Sequence, residues 1–587
     1  MRNTCTITVR IVLALLGFLI SSCSKDDVIT VVSPPDFSFD NETGIYSVKV
    51  GKSITITPFY TNSEDADFSW REGSRLLSTE KNLTISWEEA GCHYITLTVS
   101  NDSGSKSGEI RIDVEDLLKP VISLPFGGDE ILVKLGSTYI INPEILNSEV
   151  EGFSVEWIVN GSKISNEPSL TFVADNEGEY TVTIKAVNQD GEDEKEFILN
   201  VLSELPFTLE FPPISYLNKS TDRYTFPGRG VYLQPILENI DGATFNWCVN
   251  GRDVEETNKY FMFVPEEPGD YTVTLTVNGT ISISVSVTCI DSNEEKSFRK
   301  VSSSSSKICE NVFEWIPAPG QFIGENQTGG MTGGETSHEL AVKWAKERLA
   351  KRQYVSLGGF GGYIIVGFDH SIKASTDGYD FAIEGNAFLN ASNGEGGSNE
   401  PGIVYVMQDV NGNGLPDDEW YELRGSETGK STTLQDYAVT YFRPSAPRMN
   451  VQWTDNYGQS GTIDYLPAFH RQDYYYPEWI TEDSYTLRGT RLEARTSQDP
   501  SSGFWDNWAF DWGYADNVGN DSLNSGNSVS GEGQRVGFNI SNAMYPDGSP
   551  VKLKHIDFIK VQTGVNSKSG WLGENSTEVF SFEDLNI

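Results

Sequence analysis

Basic residues are scarce in this chain: 43 Lys and Arg stand against 84 Asp and Glu, a formal net charge of −41 over 587 residues. Nucleic acid and anionic lipid surfaces repel such a chain, so neither is expected as a partner bound through charge. Cysteine is as sparse. Beyond Cys5 and Cys23 only Cys92, Cys248, Cys289 and Cys309 occur, too few for a disulfide framework. Cys248 and Cys289 share one segment and fit a disulfide or two buried thiols equally well. The five histidines, at 93, 338, 370, 470 and 555, form no HExxH or related metal-protease spacing, and there is no GxSxG elbow or Cys–His signal. GGFGGY at 358–363 lacks the Lys-Ser/Thr of a phosphate loop, and among so many acids no carboxylate pair stands out for glycoside hydrolysis. The chain is therefore not expected to be an enzyme. Long apolar runs are missing except for IVLALLGFLI, Ile11 to Ile20, which is too short for a permanent membrane span.

That run follows Arg2 and Arg10 and ends in Ser-Ser-Cys, the shape of a secretory signal over residues 1–22. LISSC resembles a bacterial lipobox, which implies cleavage before Cys23 and a lipid on that residue. Ser24-Lys25-Asp26-Asp27 resembles the short signal that sends Bacteroidetes lipoproteins to the outer face of the outer membrane. The expected location is the cell surface, with the lipid anchor as the only membrane contact.

A motif recurs three times. FSWREG at 68–73, VEWIVNG at 155–161 and FNWCVNG at 245–251 each place a Trp in a short strand that runs into a turn. Trp70 to Gly91 is 21 residues, Trp157 to Gly178 is 21, and Trp247 to Gly269 is 22; alternating strands follow at Tyr94, Tyr180 and Tyr271. Period-two alternation with β-branched residues describes antiparallel sandwiches with one wet face, so Trp70, Trp157 and Trp247 are expected in cores. The pattern resembles PKD-like modules of immunoglobulin type over 33–115, 119–202 and 206–290. The serine-rich stretch at 291–309 reads as a flexible linker. It sets a stalk apart from a ligand-binding domain at 310–587, where nine of the thirteen tryptophans lie.

In that domain one helix is expected, Thr336 to Lys351, with Thr336 and Glu339 in capping-box spacing and an apolar stripe through Leu340, Trp344 and Leu349. The rest reads as strands and long loops of a jelly-roll-like β-sandwich, making the whole chain all-β. DVNGNGLPDDEW sets Asp409, Asn411, Asn413, Leu415 and Asp417 at positions 1, 3, 5, 7 and 9 of a calcium loop, with Gly414 at the sharp bend. Trp420 occupies position 12, so Asp418 or another acid must complete the set. Structural calcium is expected there, and a plain Asn-Gly turn is the alternative. FHRQDYYYPEW and FWDNWAFDWGYADN hold eleven rings in 25 residues. Phe504, Phe510 and Trp512 suit a core, whereas three consecutive tyrosines cannot all face one. Tyr474, Tyr475, Tyr476, Trp479, Trp505, Trp508 and Tyr514 are therefore the candidate ligand-binding residues.

YVSLGGFGGYIIVGFD, DFAIEGNAF, VYVMQDVNGNGLPDDEWYELRGSE and HIDFIKVQTGV with GWLGENSTEV resemble the cell-surface lipoproteins that accompany outer-membrane cobalamin transporters in Bacteroidetes, the BtuH type. The resemblance covers roughly 310–587. It implies capture of vitamin B12 (cobalamin) or a related corrinoid and its transfer to a TonB-dependent outer-membrane transporter, with other surface lipoproteins as neighbours. A glycan-binding lipoprotein or adhesin uses the same residue types and stays open, as does, third, a glycoside hydrolase.

Overall fold

The computed structural model describes residues 33–325, 334–390, 394–524 and 533–587. The signal peptide at 1–22 and Cys23 lie outside the described residues. The chain is all-β: three tandem immunoglobulin-like modules are followed by a further β-sandwich region.

Each module is built around a five-stranded sheet. In the first its order is Ile45–Lys49, Gly104–Glu115, Gly91–Asn101, Asp67–Glu72 and Arg75–Ser78, and the second and third repeat that order with their own strands. The repeated Trp sits on the central strand because its neighbours alternate inward and outward. Trp70, Trp157 and Trp247 are fully buried. Each indole also finds a hydrogen-bond acceptor, donating to the carbonyls of Glu80 at 3.0 Å, Glu167 at 3.0 Å and Asn258 at 2.9 Å. The VNG turns work for a backbone reason. Asn160 and Gly161 take φ of 49° and 75°, and Asn250 and Gly251 take 48° and 76°, the left-handed pair that a two-residue hairpin turn needs. None of the four described cysteines forms a disulfide, so Cys248 and Cys289 do not pair.

In the C-terminal region a six-stranded antiparallel sheet runs Asn311–Ile316, Tyr363–Lys373, His555–Thr563, Gly402–Met407, Tyr421–Leu423 and Ala543–Met544. A four-stranded sheet contributes Tyr437, Val439, Tyr441 and Leu487 to the same core as Ile364, Val404 and Val561. A three-stranded sheet, Gln534–Phe538, Phe381–Gly385 and Ser581–Asp584, extends it. Gly402–Met407 is buried at every residue, which is why it reads as an unbroken apolar run. The 354–369 stretch is a two-residue strand, a glycine turn, and then a long strand from Tyr363. At Gly358, φ 71°, a Cβ would meet the Ala318 carbonyl at 2.0 Å, so these glycines serve close backbone crossing.

Two expectations are corrected here. The helix spans His338–Ala350 and its cap is Ser337, whose hydroxyl accepts from the Leu340 N–H; the buried face is Ala341, Ala345 and Leu349, while Leu340 is exposed. Trp344 stacks on Trp315 at 5.0 Å. The stretch at 291–309 is strapped down. Asn293 caps a short helix, Glu294–Ser297, Glu294 pairs with Arg229 at 2.6 Å, and Arg299 pairs with the buried Asp557 at 3.0 Å. Composition marked it as solvated, but ion pairs to a loop of the third module and to a strand of the C-terminal sheet hold it in place.

Candidate functional site

Strand register places the site. Gly402–Met407 and Tyr421–Leu423 pair antiparallel, Tyr405 opposite Glu422 and Val406 opposite Tyr421, so the acidic loop is the tip of a hairpin. Tyr405 also lies opposite Lys560 on the neighbouring strand. Glu422, Tyr405 and Lys560 therefore form one row on one sheet face.

The third module stands over that row. Its Ile214 shares a buried cluster with Met407 and Phe558, and the Tyr216 N–H donates to the Tyr363 hydroxyl at 3.0 Å. Arg223 pairs with Glu419 at 2.6 Å, and the Tyr260 hydroxyl donates to Asp436 at 3.0 Å. Between module and sheet remains a cleft of about 720 Å³. Tyr232 and Tyr260 line it from the module, Tyr405, Trp420 and Tyr545 from the sheet region.

Its polar groups carry opposed charges. The Lys560 ammonium lies 4.2 Å from the Tyr405 ring centre and 5.0 Å from that of Trp420. Burial pushes it down to about 8, against the pull of Glu314 and Glu422. Glu422 is pushed up to about 7 by burial, although the Thr490 hydroxyl donates to it. Glu419 is raised by burial and drawn back by Arg223. The Trp420 indole N–H is buried and has no acceptor among the described residues. The arrangement offers flat apolar walls, one cation, two acids and an uncommitted donor, which suits binding of an amphipathic molecule.

Most of the ring residues expected to bind are elsewhere. Tyr475, Tyr476, Trp479 and Tyr514 belong to cores. The Tyr475 hydroxyl donates to the His470 carbonyl at 3.1 Å, Tyr476 donates to Glu482 at 2.9 Å, and Trp479 packs 5.5 Å from Trp315. Tyr514 accepts from the Glu427 N–H at 3.0 Å. The loop at 471–480 has no strand pleat, so adjacent rings need not face opposite ways. Tyr474 and Trp505 are half-buried and Trp508 is exposed, its indole donating to Ser497 at 2.9 Å. Phe510 is buried, but Phe504 and Trp512 are exposed. None of the seven lines the cleft. What the sequence reading missed was the third module as a wall. Its one hint was the charge and glycine content of TDRYTFPGRG (221–230), unlike the other two copies.

Hydrogen bonds join the loop residues Asp409, Asn411, Asn413, Leu415 and Asp417, and Asp418 is tied to the same loop through Val410, but the carboxylate oxygens of Asp409, Asp417 and Asp418 do not all lie within 4.8 Å of one another. Asp409 accepts from the Asn413 and Gly414 N–H groups at 3.0 and 2.9 Å, while the Asn411 and Asn413 amides donate to Asp417 at 3.0 and 2.7 Å. Asp418 is fully buried and accepts from the Val410 N–H at 2.9 Å; burial pushes it up to about 8, with the charges of Asp417 and Asp409 adding to the rise.

A second acidic group was not foreseen. One carboxylate oxygen each from Glu400, Asp516 and Glu578 lies within 4.8 Å of the others. Burial pushes all three up, and for Glu400 and Glu578 the neighbouring carboxylates add to it. Asp516 accepts from the Asn386, Ala387 and Glu578 N–H groups, which ties three chain segments together.

Comparison with known proteins bears on the modules. The PKD-like domain family matches residues 34–101, 119–188 and 212–279. Human polycystin-1 (Homo sapiens) is 23% identical over 211 residues, which are 35% of this chain and only 5% of that protein. Among solved structures, the titin fragment I67–I69 is 16% identical with a TM-score of 0.21 and covers 44% of this chain and 99% of its own. Fibronectin(III)-like modules of CbhA from Clostridium thermocellum are 14% identical with a TM-score of 0.17, covering 28% of this chain and 94% of theirs.

Proposed function

We propose that this protein is a lipid-anchored lipoprotein on the outer face of the outer membrane that captures cobalamin or a related corrinoid, without chemistry, and hands it to a TonB-dependent transporter. The cleft of about 720 Å³ beneath the third module is the observation that carries the binding role. Its tyrosines and Trp420 give flat area, while Lys560, Glu422 and the Trp420 N–H give polar contacts to a ligand edged with amides and phosphate. The corrinoid class rests on the resemblance of 310–587. Surface location rests on LISSC and the SKDD that follows.

One observation favours a glycan instead. Phe469, Phe504 and Trp571 are exposed, with ring centres 6.1 and 6.4 Å from that of Trp571, a cluster on which sugars would stack.

Calorimetric titration of the full chain with cyanocobalamin, beside a glycan panel, separates these readings. Truncating a central ring typically costs about 2 kcal/mol or more, so Trp420→Ala should weaken cobalamin binding roughly thirtyfold. Tyr475→Ala should instead lower the melting temperature, its ring being in the core. Glycan binding that Trp571→Ala abolishes, with no cobalamin heat, would replace the first reading by the second. Cys23→Ala should release the protein from membranes, and protection from protease on intact cells would overturn the surface location.

A further inference from the structure

The hairpin tip has the geometry of a cation loop in a place where an anion would be costly. Its oxygens come from Asp409, Asn411, Asn413, Asp417 and Asp418, with the Leu415 carbonyl between them in sequence. Gly412 and Gly414 take φ of 72° and 76°, which bends the chain so that the Asp409, Asn411 and Asn413 oxygens meet N–H groups of the loop itself. The first residue accepts from the sixth N–H, the third from the fifth, and the fifth from the seventh, at 2.9, 3.0 and 2.7 Å. These bonds fix the ring but do not themselves call for an ion.

Asp418 does. It is fully buried, its Oδ2 reaches back into the loop to the Val410 N–H at 2.9 Å, and its Oδ1 is buried with no hydrogen-bond partner among the described residues. A dry, unsatisfied carboxylate oxygen beside two further acids costs several kcal/mol unless something compensates it, by about the scale of an unpaired buried polar group or more. Position 12 of a calcium loop normally supplies the last carboxylate. Trp420 stands there, and Asp418 supplies the oxygen two residues earlier.

We infer that residues 409–418 bind a calcium-type divalent cation, with Asp418 as the closing ligand, and that the bound ion fixes Glu419 and Trp420 in the wall of the cleft. An all-oxygen set of this size suits the loose six- to eight-fold shell of calcium better than the strict octahedron of magnesium. The coupling follows from chain continuity. Glu419, one residue beyond the loop, carries the ion pair to Arg223 at 2.6 Å, and Trp420 stands 5.0 Å from the Lys560 nitrogen. The cation site stands whatever the cleft binds.

The test uses the full chain stripped of metal. Calcium should raise the melting temperature in a saturable way, as any ligand of the folded state does, and terbium should luminesce when tryptophan is excited, with calcium displacing it at one equivalent per chain. Asp418→Asn should abolish both responses while the metal-free protein melts no lower than the parent, because the amide oxygen can still accept from the Val410 N–H. Asn413→Ala, an exposed position that cannot disturb the core, should weaken terbium binding at least tenfold; Asp499→Ala, in a serine-rich turn elsewhere, should not. Equal calcium and terbium responses in the parent and Asp418→Asn would overturn the site, as would no bound calcium in the parent. Hydrogen exchange should slow at 419–423 and 223–234 on adding calcium. Slowing confined to 409–418 would overturn the coupling to the cleft and support the ion site alone.

Discussion

Excess acid is tolerable at the surface, but Glu400, Asp516, Glu578 and Glu574 are not at the surface. Each is pushed above the ordinary carboxylate range by burial, Glu574 up to about 8. In the unfolded chain such groups release their protons near pH 4. Between that pH and about 8 the folded state binds protons that the unfolded state has lost, so stability is fullest at the acid end and falls as pH rises. Melting temperature should therefore drop between pH 5 and pH 8 in a metal-free buffer. Glu400→Gln should flatten that slope. Its amide can still accept from the Ser576 N–H, as Oε1 does at 3.1 Å, and donate to the Ser398 hydroxyl. An unchanged slope would mean that other groups hold the protons. At this scale the tryptophans of the modules were legible, because a strand's alternation fixes which way Trp157 points. The tyrosines were not: Tyr475 and Tyr476 sit in an irregular loop, where phenol hydroxyls reaching carbonyls decide the direction.

Elements were legible where local chemistry forces them. Asn-Gly turns and alternating β-branched residues announce the hairpins of the modules, and Asp409 to Asp418 announces a tight oxygen-rich loop. The helix was legible in place but not in detail, since Thr336 and Ser337 both suit a cap and only the backbone chooses. Ser337 has extended φ and ψ of −141° and 157° and makes the bond to Leu340. Ser337→Ala should cost about 1 kcal/mol, and Thr336→Ala should cost at most a few tenths; urea unfolding of the two variants compares them directly. Equal losses would mean that the cap is shared. The serine-rich strap failed for the opposite reason: its composition reports solvation, whereas Glu294 and Arg299 act through partners far away in sequence.

Over the whole chain, the boundary drawn at 309 separates pieces that fold against each other. A fragment of residues 310–587 would lose Ile214 from the cluster of Met407 and Phe558 and expose that apolar surface. It would also strip Arg299 from Asp557, which is fully buried, and Arg223 from Glu419. Breaking a buried pair by removing one partner typically costs about 3–5 kcal/mol, because the remaining charge is left dry. Two such losses are comparable to the total stability of an ordinary domain, about 5–15 kcal/mol. Fragment 310–587 should therefore aggregate or melt without cooperativity. Fragment 206–587 keeps the third module and the strap, and should melt cooperatively. It would lose the second module's contacts, in which the Asn450 N–H donates to Glu144 at 3.1 Å and Gln452 donates to the Asn142 carbonyl at 2.9 Å. Glu144 and Asn450 are half-buried and Gln452 is buried, but what is lost is hydrogen bonding and not a buried ion pair, so its removal should lower the melting temperature by only a few degrees, on the order of 1–2 kcal/mol. Calorimetry of the two fragments decides the matter. A shorter fragment that melts as sharply as the longer one would make the third module a stalk element after all, and would leave the cleft beneath it without a fixed wall.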